Sequence, residues 1–198
     1  MRFLLFISLM MSSFSSFSYS NEELIELIKE GGYVLMIRHT SRGSLEGDTL
    51  VRADRFSHCI TGSSLSVRGV EEAKRMGERF RSNNIPISEF LSSPSCRCRQ
   101  LMYYAFPGKF YEIKAEILYK YAKSAEENDR MKPILNYHFS HPIALAGTNR
   151  VISGHNNTIE SLEITGMPPK PLGMGDVAVI RPMGNSNFEF VGTISRFF

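Results

Sequence analysis

Residues 33–40 read YVLMIRHT, and this short stretch decides the fold. Its first five residues, YVLMI, are apolar without a break and lie between a glycine pair and the basic Arg38. An uninterrupted apolar run of this length is typical of a strand that is covered on both faces within a parallel sheet. The run therefore predicts a central strand that delivers Arg38, His39 and Thr40 to the carboxyl end of that sheet.

Strand-like and helix-like segments alternate along the rest of the chain. An amphipathic pattern predicts a helix from Asn21, and further helices are predicted over residues 67–81, 96–105, 123–136 and 158–164. Short apolar runs predict strands over residues 89–92, 151–153, 177–181 and 188–194, whereas residues 113–121 are ambiguous. This alternation predicts an α/β fold: a three-layer sandwich with a mostly parallel central sheet and helices on both faces.

Residues suited to phosphate chemistry follow three of the predicted strands. Arg38 and His39 end the first, Arg97 follows the second and His155 follows the third, while Arg42 stands three residues beyond His39. Ligands of such sheets bind beyond the carboxyl ends of the strands, so these side chains are expected to meet there. Neutral imidazole is a good nucleophile toward phosphorus, and arginine holds phosphate through paired hydrogen bonds. The pattern predicts a site for phosphoryl transfer.

The motifs that carry these residues resemble those of the histidine phosphatase superfamily, in the same order. YVLMIRHT is similar to the family's strand ending in Arg-His-Gly. LSSPSCRCRQ, residues 91–100, is similar to its Ser-Pro-x-x-Arg motif, and VISGHNNT, residues 151–158, to its strand ending in Gly-His. Residues 65–73 match the helix entry that lies between the first two motifs. The resemblance covers about residues 33–182 and implies the family's hydrolase fold and phosphatase activity.

The resemblance also implies a role for each residue of the predicted site. His39 would attack phosphorus and become phosphohistidine, while His155, the second catalytic residue, would help to hold the phosphoryl oxygens. Arg38 and Arg97 would bind the phosphoryl oxygens, and Arg42 fits the form of the motif found in the acid-phosphatase branch. The resemblance implies no metal and no other cofactor.

Two departures from the family pattern bear on catalysis. Thr40 stands where the family has glycine, and its side chain adds bulk beside the nucleophile. Asn156 follows the second histidine where the acid-phosphatase branch has an acidic residue, and an amide cannot supply a proton to the leaving group. The general acid is therefore open among four carboxylic acids: Glu116, Glu112, Asp48 and Asp54.

The first 20 residues have the features of an export signal. A short basic start is followed by the apolar run FLLFISLMM and by a segment that ends in Ser18-Tyr19-Ser20. We expect residues 1–20 to be a signal peptide cleaved near Ser20, and residues 21–198 to form one histidine phosphatase-like domain in the periplasm or outside the cell. The rest of the chain has no apolar run long enough for an integral membrane segment, and a formal net charge of +3 is too small to indicate nucleic acid as a partner.

The three cysteines suit an oxidising compartment. Cys96 and Cys98 are too close in sequence for an easy mutual bridge, so a disulfide from Cys59 to either of them is predicted.

The function predicted overall is a phosphomonoesterase acting on a small-molecule or glycan phosphate ester, for which resemblance to envelope phosphatases favours a phosphorylated envelope sugar. The alternative is a catalytically degenerate member of the same fold that binds a phosphorylated ligand without turnover.

Overall fold

A computed structural model describes residues 19–43, 64–118, 124–162 and 171–198 of the chain. Most of the predicted signal peptide lies outside the described residues. So does most of the polar loop after His39, which includes Cys59 and the acid candidates Asp48 and Asp54.

Strands and helices alternate through most of the described chain. The strands are β1 (Val34–Arg38), β2 (Ile87–Ser92), β3 (Glu112–Ile113), β4 (Asn149–Gly154), β5 (Val177–Gly184) and β6 (Asn187–Ile194). The helices are α1 (Asn21–Lys29), α2 (Val67–Ser82), α3 (Cys96–Ala105), α4 (Ala125–Ser140) and α5 (Asn156–Glu160), with a 3-10 helix at Ala115–Leu118.

The strands form one six-stranded sheet in the order β3-β2-β4-β1-β5-β6. The pairs β3-β2, β2-β4 and β4-β1 are parallel, whereas β5 and β6 add an antiparallel edge. Strand β1 therefore lies inside the sheet, as its continuous apolar run predicts. The predicted α/β sandwich with a mostly parallel sheet is confirmed.

Successive residues of β1 point to opposite faces of the sheet, and each face packs against its own set of helices. Leu35 and Ile37 belong to a core that also contains buried side chains of α1, α2 and α3. Val34 and Met36 belong to a second core, with buried side chains of α4, α5 and the 3-10 helix. Both faces of the sheet are thus covered, which explains why β1 is apolar at every position from Val34 to Ile37.

Helix α1 begins at a side chain that lies within the predicted signal peptide. Ser20 is the N-cap: its hydroxyl accepts a hydrogen bond from the Glu23 amide at 3.2 Å, and the Glu23 carboxylate accepts one from the Ser20 amide at 2.7 Å. This reciprocal pair satisfies two amides that the first turn leaves unbonded. Cleavage directly after Ser20 would remove that cap. Ser20, the residue at the predicted cleavage site, therefore contributes to the folded domain as the N-cap of α1.

In helix α4 and in the ambiguous stretch 113–121, tertiary packing decides the structure where the local sequence pattern does not. Helix α4 contains Pro133 and continues to Ser140, four residues beyond the predicted end at residue 136, because Leu135 and Phe139 are fully buried against the sheet. The ambiguous stretch 113–121 begins with the last residue of the two-residue edge strand β3 and continues into the 3-10 helix.

Among the described residues, no helix has the length and apolar character that crossing a membrane requires.

Candidate active site

The register of the parallel strands brings three sequence motifs to one edge of the sheet. Arg38, the last residue of β1, pairs with Gly154, the last residue of β4, and Ser92 at the end of β2 pairs with Ser153. His39 and His155 come directly after the paired strands β1 and β4, and their ring centroids are 5.5 Å apart. The sheet thus explains why residues more than a hundred positions apart in sequence form one cluster of side chains, which we call the cleft.

His39 is held in a defined tautomer beside the cleft. Its Nδ1 lies 2.9 Å from the backbone oxygen of Thr40, and a carbonyl oxygen can only accept, so Nδ1 carries the proton. The side chain is only 5% exposed. Burial, followed by the positive charges of Arg97, Arg38 and Arg42, lowers the pKa of His39 from 6.5 to about 3. The ring is therefore neutral at neutral pH, and its Nε2 carries the free lone pair of a nucleophile.

The second histidine is fixed in the opposite tautomer. Arg97 Nη2 lies 3.1 Å from His155 Nδ1, and because a guanidinium only donates, Nδ1 accepts and Nε2 carries the proton. That Nε2 lies 3.1 Å from the hydroxyl oxygen of Ser93 and 3.2 Å from that of Ser95. Burial, Arg97, His39 and Arg38 all lower the pKa of His155 well below its usual value.

Arg97 enters the cleft from the first turn of α3. It is the second residue of that helix and is 5% exposed, so its charge lies beside the positive end of the helix dipole. Ser95 is the N-cap of α3, yet its hydroxyl makes no capping bond and contacts His155 instead. The local helix start is therefore used to orient a side chain of the site.

The two remaining arginines predicted for the site differ in burial. Arg38 is half-buried, and its Nη1 donates to the backbone oxygen of Leu172. Arg42 is exposed and forms an isolated antiparallel bridge with Leu65 at the margin of the segment after His39. Both still act on His39, because their charges contribute to its lowered pKa.

The described acid candidates are engaged with partners of their own. Glu112 lies exposed on β3 and pairs with Lys114 at 2.7 Å, and the hydrogen bond and charge of Lys114 lower the pKa of this carboxyl. A general acid at neutral pH needs a raised pKa, so this environment is opposite to the one required. Glu116, in the 3-10 helix, lies 2.5 Å from Nε2 of His138 on α4. Asp48 and Asp54 lie outside the described residues.

The threonine that replaces the family glycine faces away from the cleft. Thr40 is fully buried, and its hydroxyl donates to the backbone oxygen of Gly69 in α2 at 2.7 Å. Gly69 lies close to the same segment, since a Cβ at this position would be only 1.9 Å from the oxygen of Ser41. The Thr40 side chain thus packs between β1 and α2. The steric crowding of the nucleophile that the sequence predicts from this residue is therefore not observed.

Three side chains of the site were not singled out as contributors by the sequence. Ser93 and Ser95 lie inside the second motif but carry no chemical signature of their own, so only the contact with His155 reveals them. Cys98 is fully buried, with its sulfur 3.7 Å from His155 Nε2. Burial raises the pKa of its thiol. The thiol is free, so the predicted bridge from Cys59 to Cys98 is wrong. The bridge from Cys59 to Cys96 stays a prediction, because Cys59 lies outside the described residues.

Together these groups can bind an oxyanion and attack phosphorus. The cleft combines the neutral imidazole of His39 with the guanidinium groups of Arg38 and Arg97, and it adds the helix dipole of α3. Within the part of the chain that the structure describes, no group of three or more histidine, cysteine or acidic side chains is arranged to hold a metal ion.

Comparison with known proteins gives matches at the level of structure alone. No family model and no curated protein sequence matches the chain. Protein histidine phosphatase SixA, solved with tungstate, is 15% identical with a TM-score of 0.55, and the match covers 83% of this chain and 97% of that one. Phosphoserine phosphatase from Entamoeba histolytica, solved with phosphoserine, is 13% identical with a TM-score of 0.53 and coverage of 83% and 97%. Alpha-ribazole phosphatase from Shigella flexneri is 14% identical with a TM-score of 0.51 and coverage of 83% and 96%. The chain has the fold of the histidine phosphatase superfamily.

Proposed function

We propose that this chain, built on the histidine phosphatase fold, is an exported phosphomonoesterase that works through a phosphohistidine at His39. The observation that carries the proposal is the state of His39. Its Nδ1 proton is engaged by the Thr40 carbonyl, its pKa is lowered to about 3, and Nε2 is left as the nucleophilic atom. Arginine and histidine side chains surround it, as an attack on a phosphate dianion requires.

In the first half-reaction, Nε2 of His39 forms a bond to phosphorus while the bond from phosphorus to the ester oxygen breaks. Arg38 and Arg97 neutralise charge on the equatorial oxygens, with His155 beside them. The departing oxygen takes a proton from an acid whose identity the described residues leave open. In the second half-reaction, water attacks the same phosphorus while the bond from phosphorus to Nε2 breaks. The water gives a proton to the base left by that acid, so inorganic phosphate leaves and neutral His39 is restored.

The lowered pKa of His39 keeps Nε2 unprotonated and able to attack phosphorus in the first half-reaction. A protonated imidazole has no lone pair at Nε2 and cannot attack, so a histidine of ordinary pKa would lose reactivity in mildly acidic surroundings. The same three arginines that lower the pKa are the groups that a bound phosphate dianion would neutralise. A bound phosphate dianion would therefore offset the repulsion that these arginines add to the effect of burial on His39.

A protein that binds a phosphorylated ligand without turnover is the second candidate. It is favoured by the environment of the acid candidates, since Lys114 lowers the pKa of Glu112 and His138 engages the carboxylate of Glu116. Turnover separates the two candidates. We expect the purified chain to release phosphate from a panel of aryl phosphates, sugar phosphates, phosphoserine and phosphohistidine. Saturable binding of these compounds with no phosphate release would favour the binding protein.

The location and the substrate class belong to the same proposal. The signal-like residues 1–20 support export, and an extracytoplasmic enzyme would meet phosphorylated sugars of the envelope. Cell fractionation with mass determination of the recovered chain tests the location. A full-length chain confined to the cytoplasm would contradict export, and no activity on any sugar phosphate of the panel would contradict the glycan substrate.

A further inference from the structure

We propose that Glu72 is a positioning residue for His39, which acts through the peptide unit between Thr40 and Ser41. The inference rests on the proposed function, because it assigns His39 as the nucleophile. It adds a residue of α2 that touches neither histidine ring but sets the hydrogen bond that orients one of them.

The two ends of a single peptide unit connect the carboxylate to the imidazole. The carbonyl oxygen of Thr40 accepts from His39 Nδ1 at 2.9 Å. The amide of Ser41, which belongs to the same peptide, donates to Glu72 Oε2 at 3.0 Å. A continuous chain of hydrogen bonds thus runs from the imidazole through one peptide plane to a carboxylate.

Glu72 is buried at a helix position where an apolar residue would be the ordinary choice. It is 1% exposed and lies on the inward face of α2 with Ala73 and Met76. Carboxylates are rarely buried to this degree unless they are paired. Its Oε1 accepts from Arg68 Nε at 2.7 Å, while Oε2 is used for the Ser41 amide. Packing alone therefore does not explain why a carboxylate occupies this buried position.

The surroundings keep this carboxylate ionised. Burial by itself raises the pKa of Glu72, but the hydrogen bonds from Ser41 and the charge of Arg68 outweigh it and lower the pKa overall. Glu72 also lines a cavity of about 320 Å³ that contains Ser41, Arg68, Asp176 and Arg196. The charged groups that face it are thus two arginines and one further carboxylate, Asp176, whose oxygens accept from the amides of Gly173 and Arg196.

An ionised acceptor at the amide end strengthens the carbonyl at the other end. Hydrogen bonds in a chain polarise one another, so the Ser41–Glu72 bond makes the Thr40 oxygen a better acceptor for the Nδ1 proton. A stronger Nδ1 bond holds the ring orientation and increases electron density at Nε2, as second partners of histidine ligands do in metal sites. The Thr40 hydroxyl bond to Gly69 holds the same segment from the opposite side.

The test compares Glu72→Gln with the neighbouring Glu71→Gln as matched control. Glu71 is on the same helix but exposed, where it pairs with Lys74. Glutamine keeps the size of Glu72 and an oxygen for the Ser41 amide but loses the charge. We expect kcat on an aryl phosphate to fall about tenfold, the range seen when second partners of histidine ligands are removed, while the inhibition constant of tungstate changes little. The 15N and 1H resonances of the His39 Nδ1–H group should shift in E72Q but not in E71Q.

Each outcome decides the proposal. A lower kcat with unchanged tungstate inhibition and a shifted Nδ1 resonance supports it, whereas E72Q with the kcat and resonance of the parent overturns it. If E72Q does not fold, E72D is used instead, because its shorter side chain moves the carboxylate away from the Ser41 amide. A lower kcat with a shifted Nδ1 resonance then supports the proposal, and the kcat and resonance of the parent overturn it. Absence of turnover in the parent would refute the proposed function alone, because the NMR comparison would still report whether Glu72 acts on His39.

Discussion

Replacement of Arg97 by lysine separates the geometry of the cleft from its charge. Lysine keeps the positive charge but offers a single ammonium in place of the planar fork of the guanidinium. In the structure the Arg97 side chain is buried, and its Nη2 donates to His155 Nδ1 at 3.1 Å. One ammonium on a different stem cannot hold that bond and a phosphoryl oxygen with the same geometry.

The size of the effect depends on the burial of this donor. Removal of a buried donor to transition-state charge costs about 3 kcal/mol in enzymes that stabilise an oxyanion. Since about 1.4 kcal/mol corresponds to a tenfold change in rate, R97K should lower kcat/KM about hundredfold. The fold should survive, because the ammonium places the same positive charge at the start of α3 that the guanidinium places there in the parent.

The assay is phosphate release from an aryl phosphate under conditions that give kcat and KM separately. The matched control is Arg99→Lys on the same helix, where the side chain lines a small cavity with Tyr103 and Tyr104 outside the cleft. R99K should keep the parent's kcat/KM. An R97K enzyme whose kcat/KM lies within about threefold of the parent, a difference under 1 kcal/mol, would refute the assignment of Arg97 as a transition-state donor.

Three further outcomes are expected from the same structure. The free energy of unfolding should fall as the pH drops from 6.5 toward 3, because His39 and His155 gain protons in the unfolded chain that the native site excludes. His39→Ala should make this slope shallower in denaturant titrations, and an unaltered slope would mean that His39 does not contribute to it. In a chain that retains Ser20, Ser20→Ala should lower the free energy of unfolding by about 1 kcal/mol through loss of the α1 cap, and an unchanged urea midpoint would contradict that role. Gly69→Ala should reduce kcat by displacing Ser41. Gly77→Ala, whose Cβ would lie 1.9 Å from the Ala105 oxygen, should lower the melting temperature but leave kcat of the folded protein near that of the parent. Equal effects of the two substitutions on kcat would contradict a specific role of Gly69 beside the site.

The fold could be predicted from the sequence because its decisive signals are local. The continuous apolar run of β1 indicates burial on both faces, and the apolar stripe of residues 67–81 predicts α2 to within one residue of its observed end. Position at the ends of strands was enough to group His39, Arg97 and His155, since parallel strands bring the residues after their carboxyl ends to one edge of the sheet. The end of α4 could not be predicted, because contacts with distant parts of the chain extend the helix beyond Pro133.

The details of the site were less accessible because they depend on pairings between distant residues. Thr40 reads in sequence as an added bulk beside the nucleophile, and only the bond to Gly69, 29 residues away, shows that its side chain faces α2. Glu72 reads as one of two adjacent acidic residues on a charged helix, and its burial against Ser41 depends on how α2 packs on β1. Sequence patterns report which residues share a face, but they do not report which backbone group a buried carboxylate meets.

The central claim, that His39 carries the phosphoryl group, is tested most directly by mapping a trapped phosphoenzyme. Brief incubation with substrate, a quench in base and peptide mass spectrometry should find one base-stable, acid-labile phosphate on His39, and His39→Ala should carry no phosphate and show no turnover while remaining folded. Near-full activity of His39→Ala, or phosphate on another residue of the parent, would contradict the account.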